Sequence, residues 1–318
     1  MKKDKEIIQF EFWNECRENR CAFCSLAYTA NGDNTCDPER FRSPAEKKDI
    51  LEQILGHLPT IDWNQFDEVS FQGGEIMNGY DQEWLPTYER LLDELILLMK
   101  EDKLKKLYPI TSLKFKYEDS LLQFTLEKFK AAGFIDRVMV GTSYDIKYRF
   151  TKANEREWWI NLGKVKRTGC KVHCTTILSQ FLIDAYMGGD KRIVRMLKVF
   201  PGRLLDLIGT IGDRHSLMLP ADFLPKRSSF VAFCFFLMKN NFPLWRRFAD
   251  QSGRRATNVY RPIQDMTVWR DVKNHTSHDL DLLAPCGHFV YCRSYADSDE
   301  CYACDILKML DTEGGARL

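Results

Sequence analysis

Residues 7–24 read IIQFEFWNECRENRCAFC, and this stretch decides the fold. Ile7 to Trp13 alternates apolar and polar side chains, the period of a strand with one buried face. Cys16, Cys21 and Cys24 follow at once, separated by four and then two residues. Glu15, Arg17, Glu18, Asn19 and Arg20 share the segment, a composition unsuited to a set of buried core thiols. Three neighbouring thiolates leave one corner of a [4Fe–4S] cubane without a protein ligand, and that open iron can bind a small chelating molecule. Tetrahedral zinc takes four ligands, and the next cysteine is Cys36, well down the chain. In β/α barrels the loops at the C-terminal ends of strands build the active site, which is where this loop falls.

Working outward, strands alternate with helices. Pro44 to Leu58 reads as a helix, Phe66 to Phe71 as a strand, and Trp84 to Lys103 as a helix with apolar residues at helical spacing. A strand near Leu107 to Leu113 precedes a helix over Glu118 to Ala132, which Gly133 would cap. Val138 to Thr142, Val172 to Leu178 and Leu204 to Ile211 read as further strands. Between them come a helix over Glu155 to Arg167 and a helical segment up to Phe200, broken at Gly188-Gly189. Six such repeats predict an α/β protein, a partial (β/α)6 TIM-like barrel over residues 1–215. Residues 216–318, punctuated by Pro220, Pro225, Pro243 and Pro262, read as an irregular, cysteine-rich C-terminal extension.

The second strand ends in FQGGE, which puts Gly73, Gly74 and Glu75 at the strand end next to that of the cysteine loop. Two glycines allow close backbone approach, and a carboxylate suits an ammonium group. With its three cysteines, the aromatic Phe23 just before the last of them, and this Gly-Gly-Glu, the chain resembles the radical SAM superfamily. The first cysteine spacing is one residue longer than that family's usual pattern. The resemblance covers residues 7 to 215. It implies a [4Fe–4S] cluster on Cys16, Cys21 and Cys24, with S-adenosylmethionine (SAM) chelated to the open iron. Gly73, Gly74 and Glu75 would take the amino group of its methionine, beside Phe23. By strand order, Thr142, Ser143, Thr175, Thr176 and the segment Gly209 to Asp213 would lie near its ribose, carboxylate or adenine. The implied reaction is reductive cleavage of SAM to methionine and a 5′-deoxyadenosyl radical, which abstracts hydrogen from a substrate. It requires a one-electron donor of the flavodoxin or ferredoxin kind.

A second group of thiols, Cys286, Cys292, Cys301 and Cys304, lies in APCGHFVYCRSYADSDECYAC. Four cysteines make a closed site, either an auxiliary [4Fe–4S] cluster or a structural zinc that His288 would be able to join. Radical SAM enzymes acting on peptides or other large substrates often carry auxiliary clusters in such extensions, and the resemblance favours a second [4Fe–4S] cluster. Cys170 and Cys174 read as core residues.

Eleven cysteines, an odd number and clustered, fit a reducing cytoplasmic setting and metal binding better than a disulfide framework. No membrane span and no signal peptide is expected; the apolar run Phe230 to Met238 is too short to cross a bilayer. Net charge is +1, yet Lys191 to Arg270 holds 15 Lys and Arg against 5 Asp and Glu, interleaved with aromatics such as Phe235, Trp245 and Trp269. That pattern suits a polyanion with stackable bases. The expected substrate is therefore a nucleic-acid base, with rearrangement of a modified base in viral DNA as one form. Modification of a peptide or protein side chain is the alternative. A zinc-dependent nucleic-acid-binding protein is the reading from another class.

Overall fold

In a computed structural model of the protein, the described residues are 6–13, 15, 16, 21, 41–177, 179–200, 205–208, 227–241, 258–260 and 270–271. The boundary expected near residue 215 lies outside them. Two compact units divide the chain. The first comprises Met1–Ser143, Arg149–Val172 and Arg255–Lys273, and the second Tyr144–Tyr148, His173–Arg254 and Asn274–Leu318.

The first unit is built on strand β1 (Glu6–Glu11), where Ile8 and Phe10 are fully buried, as is Phe12 just beyond. β1 pairs in parallel with β2 (Phe66–Gln72), setting Ile8 against Val69 and Phe10 against Phe71. β2 in turn pairs in parallel with β3 (Lys106–Pro109). Parallel neighbours require crossovers, which α1 (Pro44–His57) and α2 (Leu85–Lys100) supply. Isolated parallel bridges, Leu107 to Val138 and Ile110 to Gly141, join the line of β3 to that of β4 (Met139–Ser143), after α3 (Leu121–Ala131). α4 (Lys152–Arg167) follows.

Local chemistry explains where the helices start. Ser43 and Glu46 form a reciprocal capping box on α1, and Ser120 and Thr151 cap α3 and α4 through their hydroxyls. α2 buries Tyr88, Leu91, Leu92, Leu95, Ile96 and Met99, a stripe at helical spacing. Each such side chain contributes roughly 1.5–3 kcal/mol relative to exposure. The aromatic ladder Phe71, Phe12, Trp13, Trp84 and Tyr88 continues this core, with Phe12 edge-on to Phe71 at 4.9 Å and Trp13 to Trp84 at 5.3 Å.

In the second unit, the Cys174–Ile177 part of β5 (Lys171–Ile177) pairs in parallel with β6 (Leu205–Ile208), Cys174 opposite Leu205. α5 (Gln180–Met187) and α6 (Lys191–Val199) separate the two strands, breaking at Gly188-Gly189 as the sequence predicts. Cys170 and Cys174 are buried, in line with their reading as core residues.

The described part of the extension contains regular elements as well. Arg227–Asn240 forms helix α7, whose Phe233 and Leu237 are fully buried and whose Phe233 and Phe236 rings meet Tyr186 of α5 edge-on. Apolar residues run almost continuously through FVAFCFFLM, so the helical period is faint in the sequence. Strands β7 (Asn258–Tyr260) and β8 (Arg270–Asp271) belong to the first unit's sheet. β7 pairs in parallel with β1 and antiparallel with β8, giving the order β3-β2-β1-β7-β8. At three and two residues they are too short to carry a periodic signal. The architecture is thus mixed α/β, with parallel strands alternating with helices. No helix among the described residues is long and apolar enough to cross a membrane.

Candidate functional site

Three strand ends of the first unit meet at the site. Beyond β1 the chain runs through Phe12 and Trp13 to Glu15 and Cys16, and beyond β2 through Gly73 and Gly74 to Glu75. The two segments run side by side after the strands have ended. Phe12 N–H donates to the Gln72 carbonyl (3.2 Å), Gly74 N–H to that of Trp13 (2.9 Å) and Glu75 N–H to that of Glu15 (2.8 Å). The glycines make this approach possible. Gly73 has φ +141°, and a Cβ on it would lie 2.5 Å from the Trp13 carbonyl oxygen. On Gly74 a Cβ would lie 1.9 Å from that of Glu15. The neighbour that both glycines admit is the backbone leading into the cysteine loop.

Glu75 is thereby held over the end of β3. Its carboxylate accepts hydrogen bonds from the Thr111 hydroxyl (2.9 Å), the Ser112 N–H (2.5 Å) and the Met77 N–H (3.1 Å). Burial pushes its pKa above the ordinary carboxylate value, against these hydrogen bonds, which pull it down. Thr111 to Phe115 is a buried loop, and each of its five residues is at most 5% exposed. Buried loops are uncommon because their backbone polar groups need partners. Here the partners are present: Thr111 N–H donates to Gly141, Leu113 N–H to the Thr111 hydroxyl and Lys114 N–H to the Ser112 hydroxyl.

Lys114 points into this site. Its ammonium lies 3.8 Å from the Cys21 sulfur and 3.1 Å from the Arg149 carbonyl oxygen. Burial lowers its pKa from the ordinary lysine value, and nearby Arg149 lowers it further. Cys21, Cys16 and Glu75 each pull it back up. The contact of Lys114 with Cys21, together with the hydrogen bonds from Gly74 and Glu75 N–H to the Trp13 and Glu15 carbonyls, brings the cysteine loop and the Gly-Gly-Glu segment into a single site. Cys21 is buried and Cys16 partly exposed. Their thiol donors and the adjacent cation fit an iron–sulfur cluster, whose ligands are thiolates. Cys24, the third thiol of the motif, lies outside the described residues, and no three metal-donor side chains gather within them.

A cavity of about 440 Å³ opens beside Glu75 and Ser112, a size usual for small-molecule sites. Trp13, Tyr80, Trp84 and Phe115 give it an aromatic lining, and Glu15, Arg42, Lys47 and Asp81 line it with charge. Lys47 pairs with the buried Glu15 carboxylate and stands 5.0 Å from the centre of the Trp13 ring.

Of the other residues the sequence points to, Thr142 is buried on β4, and its hydroxyl accepts from the Trp158 indole N–H (3.1 Å). Ser143 ends that strand, partly exposed. In the second unit, Thr176 is fully buried, and its hydroxyl donates to the Tyr144 carbonyl (2.7 Å) and contacts the Asp145 carboxylate (3.3 Å). Phe23, Gly209 to Asp213, and Cys286, Cys292, Cys301 and Cys304 lie outside the described residues. Thr111, Ser112 and Lys114 went unnoticed in the sequence. The one hint was a lysine set between two apolar residues, Leu113 and Phe115.

The fold is that of radical SAM enzymes. Among similar solved structures are those of anSMEcpe, a radical SAM anaerobic sulfatase-maturating enzyme. The structure of histidine-tagged anSMEcpe with bound AdoMet matches with a TM-score of 0.60 at 13% identity, over 99% of this chain and 94% of that one. Native anSMEcpe with bound AdoMet and Cp18Cys peptide matches with a TM-score of 0.56 at 12% identity, over 98% and 97%. Its counterpart with Kp18Cys peptide gives 0.55 at 12% identity over the same shares. No family model matches the sequence, and no curated protein does.

Proposed function

We propose that the protein is a radical SAM enzyme that modifies a peptide or protein side chain. The hydrogen bonds from Gly74 and Glu75 N–H to the Trp13 and Glu15 carbonyls carry the first part of this reading, because they join the two halves of the motif that the sequence displays separately. Cys16, Cys21 and Cys24 would hold the [4Fe–4S] cluster, and Glu75 would present a carboxylate to the SAM amino group. When bound, the cluster supplies the electron that splits a carbon–sulfur bond of SAM. The chain's own residues then bind and orient. Ser112 N–H, Met77 N–H and the Thr111 hydroxyl fix the Glu75 carboxylate, and the apolar wall of Trp13, Trp84 and Phe115 limits water at its edge.

The likeness to anSMEcpe structures that hold peptides supports a peptide substrate. A nucleic-acid base gains no such support, and most of the basic segment that suggested it lies outside the described residues. The second cluster on Cys286, Cys292, Cys301 and Cys304, a flavodoxin- or ferredoxin-like donor and a cytoplasmic setting belong to the same proposal.

The test is production of 5′-deoxyadenosine by the anaerobically reconstituted protein with SAM and dithionite, alone and with a cysteine-containing peptide or an oligonucleotide. Stimulation by peptide is expected. Stimulation by the oligonucleotide alone would restore the nucleic-acid reading, and no SAM cleavage under any condition would overturn the radical reading.

A further inference from the structure

Lys114 sits in a backbone that is constrained on both sides of it. Leu113 adopts φ +55°, a left-handed conformation that L side chains avoid unless their surroundings impose it. Asn161, fully buried on α4, donates through Nδ2 to the carbonyls of Leu113 (3.0 Å) and Phe115 (2.6 Å), which flank Lys114. A lysine normally extends its ammonium into water. This one is 5% exposed, with Nζ at 3.8 Å from the Cys21 sulfur and 5.7 Å from the centre of the Phe150 ring. The strained turn and the asparagine clamp thus hold a cation against a thiol that the motif assigns to metal.

We propose that Lys114 sets the reduction potential of the cluster held by Cys16, Cys21 and Cys24, through a charge-assisted N–H···S hydrogen bond to the Cys21 sulfur. The proposal rests on the radical SAM reading above. Hydrogen bonds to ligating sulfurs and local charge are two of the factors that tune iron–sulfur potentials. Reduction adds one electron, taken from an external donor, and hence one negative charge to the centre. A fixed cation beside a ligating sulfur stabilises the reduced form more than the oxidised one, so it raises the potential. Lys114 itself gives up neither electron nor proton, and Asn161 acts on the potential only through Lys114.

The test is redox titration of the reconstituted protein, followed by electron paramagnetic resonance, in wild type, Lys114→Met, Lys114→Arg and Asn161→Ala. Iron content is measured alongside. Lys114→Met, which keeps the length of the chain and removes the charge, is expected to lower the reduced-to-oxidised ratio about tenfold at a fixed poise. That corresponds to a midpoint about 59 mV more negative. Lys114→Arg should stay near wild type, and Asn161→Ala should shift the same way as Lys114→Met but less. Should Lys114→Met take up no iron, the Asn161→Ala shift decides. An unchanged midpoint in the loaded variants, or an equal shift in Lys114→Met and Lys114→Arg, overturns the role of the charge. Wild-type protein that assembles no [4Fe–4S] cluster overturns the radical SAM reading together with it.

Discussion

Gly74 and Glu15 approach so closely that a Cβ on residue 74 would lie 1.9 Å from the Glu15 carbonyl oxygen and 2.5 Å from its carbonyl carbon. The contact is backbone to backbone, so no side-chain rotation can relieve it. It locks the segment before Cys16 to the segment that presents Glu75.

Gly74→Ala is accordingly expected to push the two segments apart and break the hydrogen bond from Glu75 N–H to the Glu15 carbonyl. The loss of stability should be about 2–3 kcal/mol, as for an overpacked site, with weaker SAM binding. Gly56→Ala in α1, where nothing lies within 4 Å of the added methyl, is the control and should be neutral or stabilising by up to about 1 kcal/mol. Thermal melts and SAM titration calorimetry of the two variants check this.

Replacing Cys21 by alanine removes a buried sulfur and one of the three thiols of the motif. Iron per chain should fall by about four after reconstitution. 5′-Deoxyadenosine should drop to background while far-ultraviolet circular dichroism is retained. Continued 5′-deoxyadenosine formation would show that the SAM-cleaving centre lies elsewhere.

The Glu75 carboxyl has its pKa raised by burial, which has a definite sign for stability. Between the unfolded value near 4.5 and the higher folded value, the folded state holds more protons than the unfolded state. Stability of the cluster-free protein therefore falls as pH rises through that window, and the contribution is fully present only below it. Glu75→Gln should flatten this part of the profile, as read from denaturant midpoints at pH 4 to 7. A slope identical to wild type would mean that the Glu75 carboxylate is not desolvated. SAM affinity should fall in the same variant through loss of a charge-assisted contact, by on the order of 1.5–3 kcal/mol.

Metal content distinguishes the readings of the C-terminal thiols. About eight irons with matching sulfide per chain are expected, the sum of two cubanes. About four irons with one zinc would make Cys286, Cys292, Cys301 and Cys304 a structural zinc site. Zinc without iron would favour the binding-protein reading.

The order of the β/α repeat was legible, though not every boundary. The strand expected to reach Leu113 ends at Pro109, where the chain turns into the buried loop Thr111 to Phe115. The helix expected from Glu118 starts at Leu121, behind its Ser120 cap. The strand expected at Phe66 to Phe71 is Phe66–Gln72, and the helix expected at Pro44 to Leu58 is Pro44–His57. Such elements announce themselves through periodicity and caps, which are properties of consecutive residues. Helix α7 was missed because Phe230 to Met238 is apolar on nearly every face, and β7 because three residues hold no pattern. β7 becomes a strand by pairing with β1, at a separation in the chain that no local rule spans.

The same division runs through the site. Amino-acid order alone determined the alternation of strands and helices, the cysteine spacing and the placement of Gly-Gly-Glu at the next strand end, because all of these are short-range. Only tertiary structure decided that the two glycines serve the backbone of Trp13 to Glu15, and that Thr111 and Ser112 hold Glu75. It also took a lysine that reads as ordinary surface charge and buried it against a cysteine 93 residues away. Burial and long-range contact depend on how strand ends meet in space, and no window of neighbouring residues contains that information.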